Sequence, residues 1–128
     1  MNEIFKAVFN RLVDQLDIDV FDHVPQNYNS FPYVRIDPLA TSNSDTELEL
    51  GFDSTVQIIV FSDYKGSKEV ADENYNIYQA LHRYAMPDTA SFCITTIQQE
   101  FSTVVLESDG ITRQSIQRFR ILFEDLPV

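Results

Sequence analysis

The 128-residue sequence contains no tryptophan, three glycines and one cysteine. A lone Cys93 allows no internal disulfide, so the fold does not depend on oxidation. Three glycines could hardly build a Gly-rich phosphate loop. No apolar run approaches the roughly 18 residues of a membrane-spanning helix, and no membrane partner is expected. The opening MNEIFKAVFNRLVDQL lacks a basic stretch and a small-residue cleavage site, and is not read as a signal peptide. Bases are also scarce: 9 Lys and Arg stand against 20 Asp and Glu, a formal charge of −11. Phosphate contacts need clustered cations, so the free chain is a poor binder of nucleic acid. No internal repeat or low-complexity segment is present.

What is present suits one domain spanning 1–128, long enough to bury a single core. Hydrophobic residues make up 44% and aromatic residues 12%, which supports a packed globule over a disordered chain. The charge is uneven. Between Asp14 and Asp53 the acids meet Arg35 alone, whereas residues 111–123 hold Arg113, Arg118 and Arg120 and no acid. Such a molecule can pack head to tail with its own copies, although solubility alone would account for the same imbalance.

The first sixteen residues are amphipathic at helical period, with Met1, Ile4, Phe5, Val8, Leu12 and Leu16 on one stripe widened by Phe9 and Val13. DIDVFDHV reads as a weak, short strand. Pro25, Asn27, Asn29 and Ser30 then form a turn cluster that reverses the chain. Pro32 offers no N–H to a ladder and fits a strand start or edge; Tyr33–Ile36 continue as strand, with Pro38 as its end. Residues 39–46 read as a loop. From 47 onward a long strand or hairpin arm is expected, with Val56, Ile58 and Val60 in a buried central stretch. Gly66 supplies a turn, Ser67 a candidate cap, and Val70, Ile77 and Leu81 one face of a second helix. Two further strands follow, joined by the turn SDG at 108–110, with an irregularity near Gln98 and Gln99. On the last strand Phe119, Ile121 and Phe123 face one way, and Arg118, Arg120 and Leu122 the other. Hairpin-connected strands with helices on one face argue for an α+β fold with a mostly antiparallel sheet.

Catalytic signals are poor. His23 and His82 lack ligand-spaced partners and read as surface or capping residues. Cys93 lies in an apolar run and reads as a small buried hydrophobe. Asp45, Glu47 and Glu49 would line one side of a strand at ~7 Å spacing. They could attract a divalent cation, hold off a polyanion, or simply face solvent. The six tyrosines lack basic neighbours for nucleic-acid stacking. Neither catalytic residues, nor a metal site, nor a cofactor is expected.

Two stretches, DHVPQNYNSFPYVRI and VQIIVFSDYKGSKEVADENYNIYQALH, carry a resemblance. They resemble the tail completion, or tail terminator, proteins of long-tailed bacteriophages. The matching motif positions include Pro25, Gln26, Asn27, Phe31, Pro32 and Tyr33, then Asp63, Tyr64 and Gly66. The likeness covers about the first two thirds of the chain. It departs at SNSDTELELGFDS, where family members often carry a Trp and a Gly-rich stretch. The resemblance implies a structural virion subunit, made in the host cytoplasm, that closes into a homo-oligomeric ring of six on the tail tube. Its implied partners are the tail tube protein and the head connector or stopper, with DNA passing through as non-sticking cargo. On that reading Asp45, Glu47 and Glu49 are candidates for pore or rim, and Arg113, Arg118 and Arg120 for subunit contacts. Two alternatives remain open from the residues alone: a head-side connector or minor capsid subunit, and a non-viral protein-binding module.

Overall fold

The computed structural model describes residues 2–43 and 51–126. Helix α1 (Asn2–Gln15) is followed by strands β1 (Asp19–Phe21), β2 (Tyr33–Asn43) and β3 (Gly51–Ser62). Helix α2 (Lys68–Leu81) and strands β4 (Phe92–Leu106) and β5 (Arg113–Asp125) complete the chain. The sheet has the order β1-β2-β3-β5-β4; β1 pairs parallel to β2 and the other pairs are antiparallel. This is the expected α+β architecture, with both helices on one face.

Periodicity explains the core. Ile4, Val8 and Leu12 recur at helical spacing on α1 and are fully or almost fully buried, as are Val70, Ile77 and Leu81 on α2. They cover alternate residues of the strands: Val34 and Ile36, Val56, Ile58 and Val60, Ile97, and Phe119, Ile121 and Phe123. Each such side chain contributes about 1.5–3 kcal/mol of transfer free energy. Val13 was expected to widen the α1 stripe but lies outside it, 51% exposed. Arg11 reaches across to α2. Its Nε donates to the Ala80 carbonyl at 3.0 Å and its guanidinium lies 3.6 Å from the centre of the Tyr84 ring. A cation there complements the negative end of the α2 dipole.

Between α2 and the β4–β5 pair runs a polar strip within the apolar layer. Asn74 Nδ2 donates to Ser115 Oγ at 2.6 Å and to Ser102 Oγ at 2.8 Å, and Gln99 Nε2 donates to the buried Gln117 Oε1 at 2.6 Å. Hydrogen bonds of this kind tie the helix to one register on the sheet, since a slip would strand buried polar atoms.

Several local expectations are corrected. Pro38 does not end β2; the register shifts between Pro38 and Ala40, and pairing with β3 resumes to Asn43. A bulge absorbs the missing donor and the ladder continues, so 39–43 are strand and not loop. The remainder of that segment, with the front of the predicted arm at 47–50, lies outside the described residues. Ser67 occupies the N-cap position of α2 without a side-chain capping bond. Cys93 is half-buried rather than buried, because β4 is the edge strand of the sheet. The Phe31–Pro32 peptide is cis, immediately before β2. The irregularity expected near Gln98 and Gln99 is present as a register shift between Gln99 and Phe101.

Candidate functional site

The sheet face away from the helices divides into two parts. At one end, residues between β1 and β2 fold across it. Tyr33, Ile59 and Phe61 are buried there under Phe21, Val24, Tyr28 and Phe31. Tyr33 stacks on Phe61 with ring centres 4.8 Å apart, and meets Tyr28 edge-on at 5.1 Å. Tyr28 Oη donates to Asp19 at 2.5 Å, and this hydrogen bond is the main cause of a Tyr28 pKa above the ordinary value. Burial raises that of Tyr33.

The motif residues therefore have a structural role. Tyr28 N–H bonds to the Pro25 carbonyl at 3.1 Å, closing a turn in which Gln26 is exposed and Asn27 takes a positive φ of 63°. That turn brings Phe31, Pro32 and Tyr33 onto the sheet, where they cover an apolar patch that no helix reaches. Asp63, Tyr64 and Gly66 form the second motif turn, between β3 and α2. Gly66 has a φ of +92°, a conformation L side chains rarely adopt. The buried Ser62 hydroxyl donates to Glu69 at 2.5 Å and accepts from the Tyr64 N–H at 3.1 Å, pinning the turn to the first turn of α2.

The rest of this face is open and charged. Arg120 is bound by both carboxylate oxygens of Asp53 at 2.6–3.0 Å, and this contact raises its pKa. Arg113, by contrast, is on the helix side of β5 opposite Ser62, and donates to the Tyr64 carbonyl at 3.1 Å. Arg118 lies across from Gln57 and 5.3 Å from the Phe101 ring centre, and among the described residues it has no ion-pair partner. Of the three arginines singled out from sequence, then, Arg120 is paired with Asp53, and among the described residues neither Arg113, which serves a turn, nor Arg118 has an ion-pair partner. Asp45, Glu47 and Glu49 lie outside the described residues.

The second feature is β4 itself. Its first half is covered: the Ile97 carbonyl accepts from the Arg83 N–H at 2.8 Å, and the Gln99 N–H donates to His82 Nδ1 at 3.1 Å. Its second half projects past this cover, with Phe101, Val104, Val105 and Leu106 each 43–51% exposed and Ile111 60% exposed in the turn beyond. Asp109 shapes that turn by accepting from the Ile111 and Thr112 N–H groups at 2.8 Å, and these bonds hold its carboxyl below the usual range. Sequence reading marked Arg118 and Arg120 on β5 but missed this apolar run. The signal was available: FSTVVL is six residues without a charge in a strongly acidic chain.

Among the described residues no metal-ligand cluster is brought together: no group of three His, Cys, Asp or Glu could hold a metal ion. A cleft of about 420 Å³ between α1 and the β2–β3 pair is lined by Ile4, Phe5, Pro38 and Val56 with Thr41, Ser54 and the single carboxylate of Asp22. It lacks a second titratable group for acid–base work.

Among the described residues the fold is of a class with bare strand edges and an open, charged sheet face. Comparison with known proteins narrows the class. The family model described as tail completion protein gp17 matches residues 6–124, and the chain belongs to that family. Its role is that of a structural tail protein of the virion, not an enzyme. The fold is shared with a chain of a solved structure entitled "Virion of native gene transfer agent (GTA) particle", at TM-score 0.84 and 16% identity over 96% of both chains. No curated protein matches by sequence.

Proposed function

We propose that this protein closes into a ring, of six copies, that caps the tail tube and joins it to the connector on the filled head. The family match over 6–124 carries this reading. The unequal charge supports it: the formal −11 of each copy disfavours adhesion of DNA phosphate to a pore through which DNA slides. Asp45, Glu47 and Glu49 are assigned to that pore or its rim. Arg113, Arg118 and Arg120 are assigned to subunit contacts, with Arg118 foremost because Asp53 already engages Arg120. Synthesis takes place in the host cytoplasm, and the tail tube protein and head connector are the partners.

Light scattering of the purified protein, with imaging in the presence and absence of tail tubes, tests the proposal. A ring, free or formed only at tube ends, is expected. A monomer that leaves tube ends bare would overturn it. Arg118→Glu is expected to prevent assembly without unfolding the subunit; normal rings from this variant would remove the arginine assignment and leave the ring.

A further inference from the structure

The two edges of the sheet are open in complementary ways. At one edge β1 covers only Tyr33, Val34 and Arg35 of β2, so β2 from Ile36 onward has no strand beside it among the described residues. Past Pro38 this edge is Leu39–Asn43, uncharged, with Leu39, the bulge residue, 46% exposed and Ala40–Asn43 back in register with β3. At the other edge the outer half of β4, Phe101–Leu106, is uncharged and apolar on both faces. Soluble proteins blunt such edges with lysine, proline or bulges, since a bare strand recruits another. The bulge at Gln99/Phe101 ends just where this bare segment begins.

We propose that Phe101–Leu106 of β4 pairs with Leu39–Asn43 of β2 in a second copy of this chain, so that the sheet continues from subunit to subunit. This rests on the ring reading and names its contact. Three observations select a second copy in head-to-tail arrangement. First, β4 runs antiparallel to β2 within the sheet, so extending the sheet at the β4 edge makes an ordinary antiparallel ladder. Second, antiparallel pairing of β4 with its own equivalent would set Glu100 against Glu107 at both ends of the segment, a like-charge contact that disfavours a two-fold dimer. Third, in the proposed ladder the Asn43 end of β2 meets the Phe101 end of β4. In sequence Asn43 is followed by the acidic stretch holding Asp45, Glu47 and Glu49, and Arg118 beside Phe101, without an ion-pair partner among the described residues, supplies a cation.

The geometry also closes. Within one copy Phe101 lies level with Arg118, Gln57 and Asp37, so the two bare segments are offset by about six residues, or ~20 Å, along the strands. From β2 of one copy to β2 of the next is four strand spacings, ~19 Å. The ratio corresponds to strands tilted by about 45°, at the upper end of the range for closed barrels. With the usual right-handed β3–α2–β4 crossover, the offset has the sense of right-handed strand coiling when the helices lie outside. The open face bearing Arg118 and the Asp53–Arg120 pair then turns toward the lumen.

Cysteine cross-linking decides the matter. In a Cys93→Ser background, Ser42→Cys with Thr103→Cys is treated with a short bismaleimide under conditions where the unmodified protein forms rings. A ladder of covalent oligomers is expected from the double variant and none from either single variant. Cross-linking by Thr103→Cys alone would show two-fold β4 pairing and overturn the proposal. Rings without a ladder would overturn it while leaving the ring reading intact, whereas absence of rings from the unmodified protein would remove both. Val105→Lys, on an exposed side chain, is expected to keep its melting temperature and raise the concentration needed for assembly at least tenfold. Unchanged assembly of this folded variant would count against the edge contact.

Discussion

The two halves of β4 are one strand, paired to β5 throughout, yet they stand in different surroundings. Along Phe92–Gln99 the outer edge is closed by the chain that follows α2, and Ile94 and Ile97 lie in the core. Along Phe101–Leu106 the outer edge is uncovered among the described residues and, although Ser102 still accepts from Asn74 of α2, both faces carry exposed apolar groups. The contrast shows that composition does not separate buried from exposed apolar residues in this chain. Both halves are apolar and rich in β-branched residues, and what distinguishes them is whether the fold supplies cover. A strand that the subunit leaves uncovered, at this length and without charge, is stable in solution at the cost of affinity for another strand.

Substitutions in the two halves are therefore expected to act on different measurements. The largest effect on folding belongs to the covered region. Phe119→Ala, in the core and fully buried, is expected to cost about 3–5 kcal/mol in urea unfolding. Tyr33→Ala follows at about 3 kcal/mol, because it removes the ring on which Phe31, Tyr28 and Phe61 converge. A loss below 1 kcal/mol would mean that the motif loop is held by something other than this cluster. Val104→Thr, in the uncovered half, is expected to change subunit stability by no more than about 0.5 kcal/mol. A larger loss would show that the outer half is packed within the subunit.

Two smaller effects concern titration. Burial raises the Glu73 pKa above its ordinary value of 4.5, so the folded state favours the protonated carboxyl. Its stabilising contribution is present below 4.5 and is lost as pH rises through the folded value; Glu73→Gln should thus raise the melting temperature slightly at pH 7 and not at pH 4. Asp109 has the opposite sign. Its pKa is depressed below 3.8, so the turn is supported above that pH and loses support as pH falls through the folded value. Asp109→Ala is expected to speed amide exchange at Ile111 and Thr112 at neutral pH, with little change in the core strands.

Much of this was legible in the order of residues. Helical period in 2–16 and 68–81, alternation in 56–60 and 117–123, and the turns at Gly66 and SDG located every major element and the α+β class. These features are local: a period of 3.6 or 2 positions a side chain on a face whatever the remainder of the chain does. The same local logic failed at Pro38, where a bulge lets β3 keep its partner, and at Val13, where the position of α2 decided which side of α1 was covered. Sequence likewise marked Arg113, Arg118 and Arg120 as equivalent cations. Only strand pairing brought Asp53 beside Arg120 and left Arg118 next to Phe101 on the edge strand. Composition and period alone determined that this is a small acidic α+β domain, since charge balance and local periodicity need no coordinates. Which apolar residues are core and which stay exposed was decided by the tertiary structure, because burial depends on which strand faces and edges the rest of the chain covers.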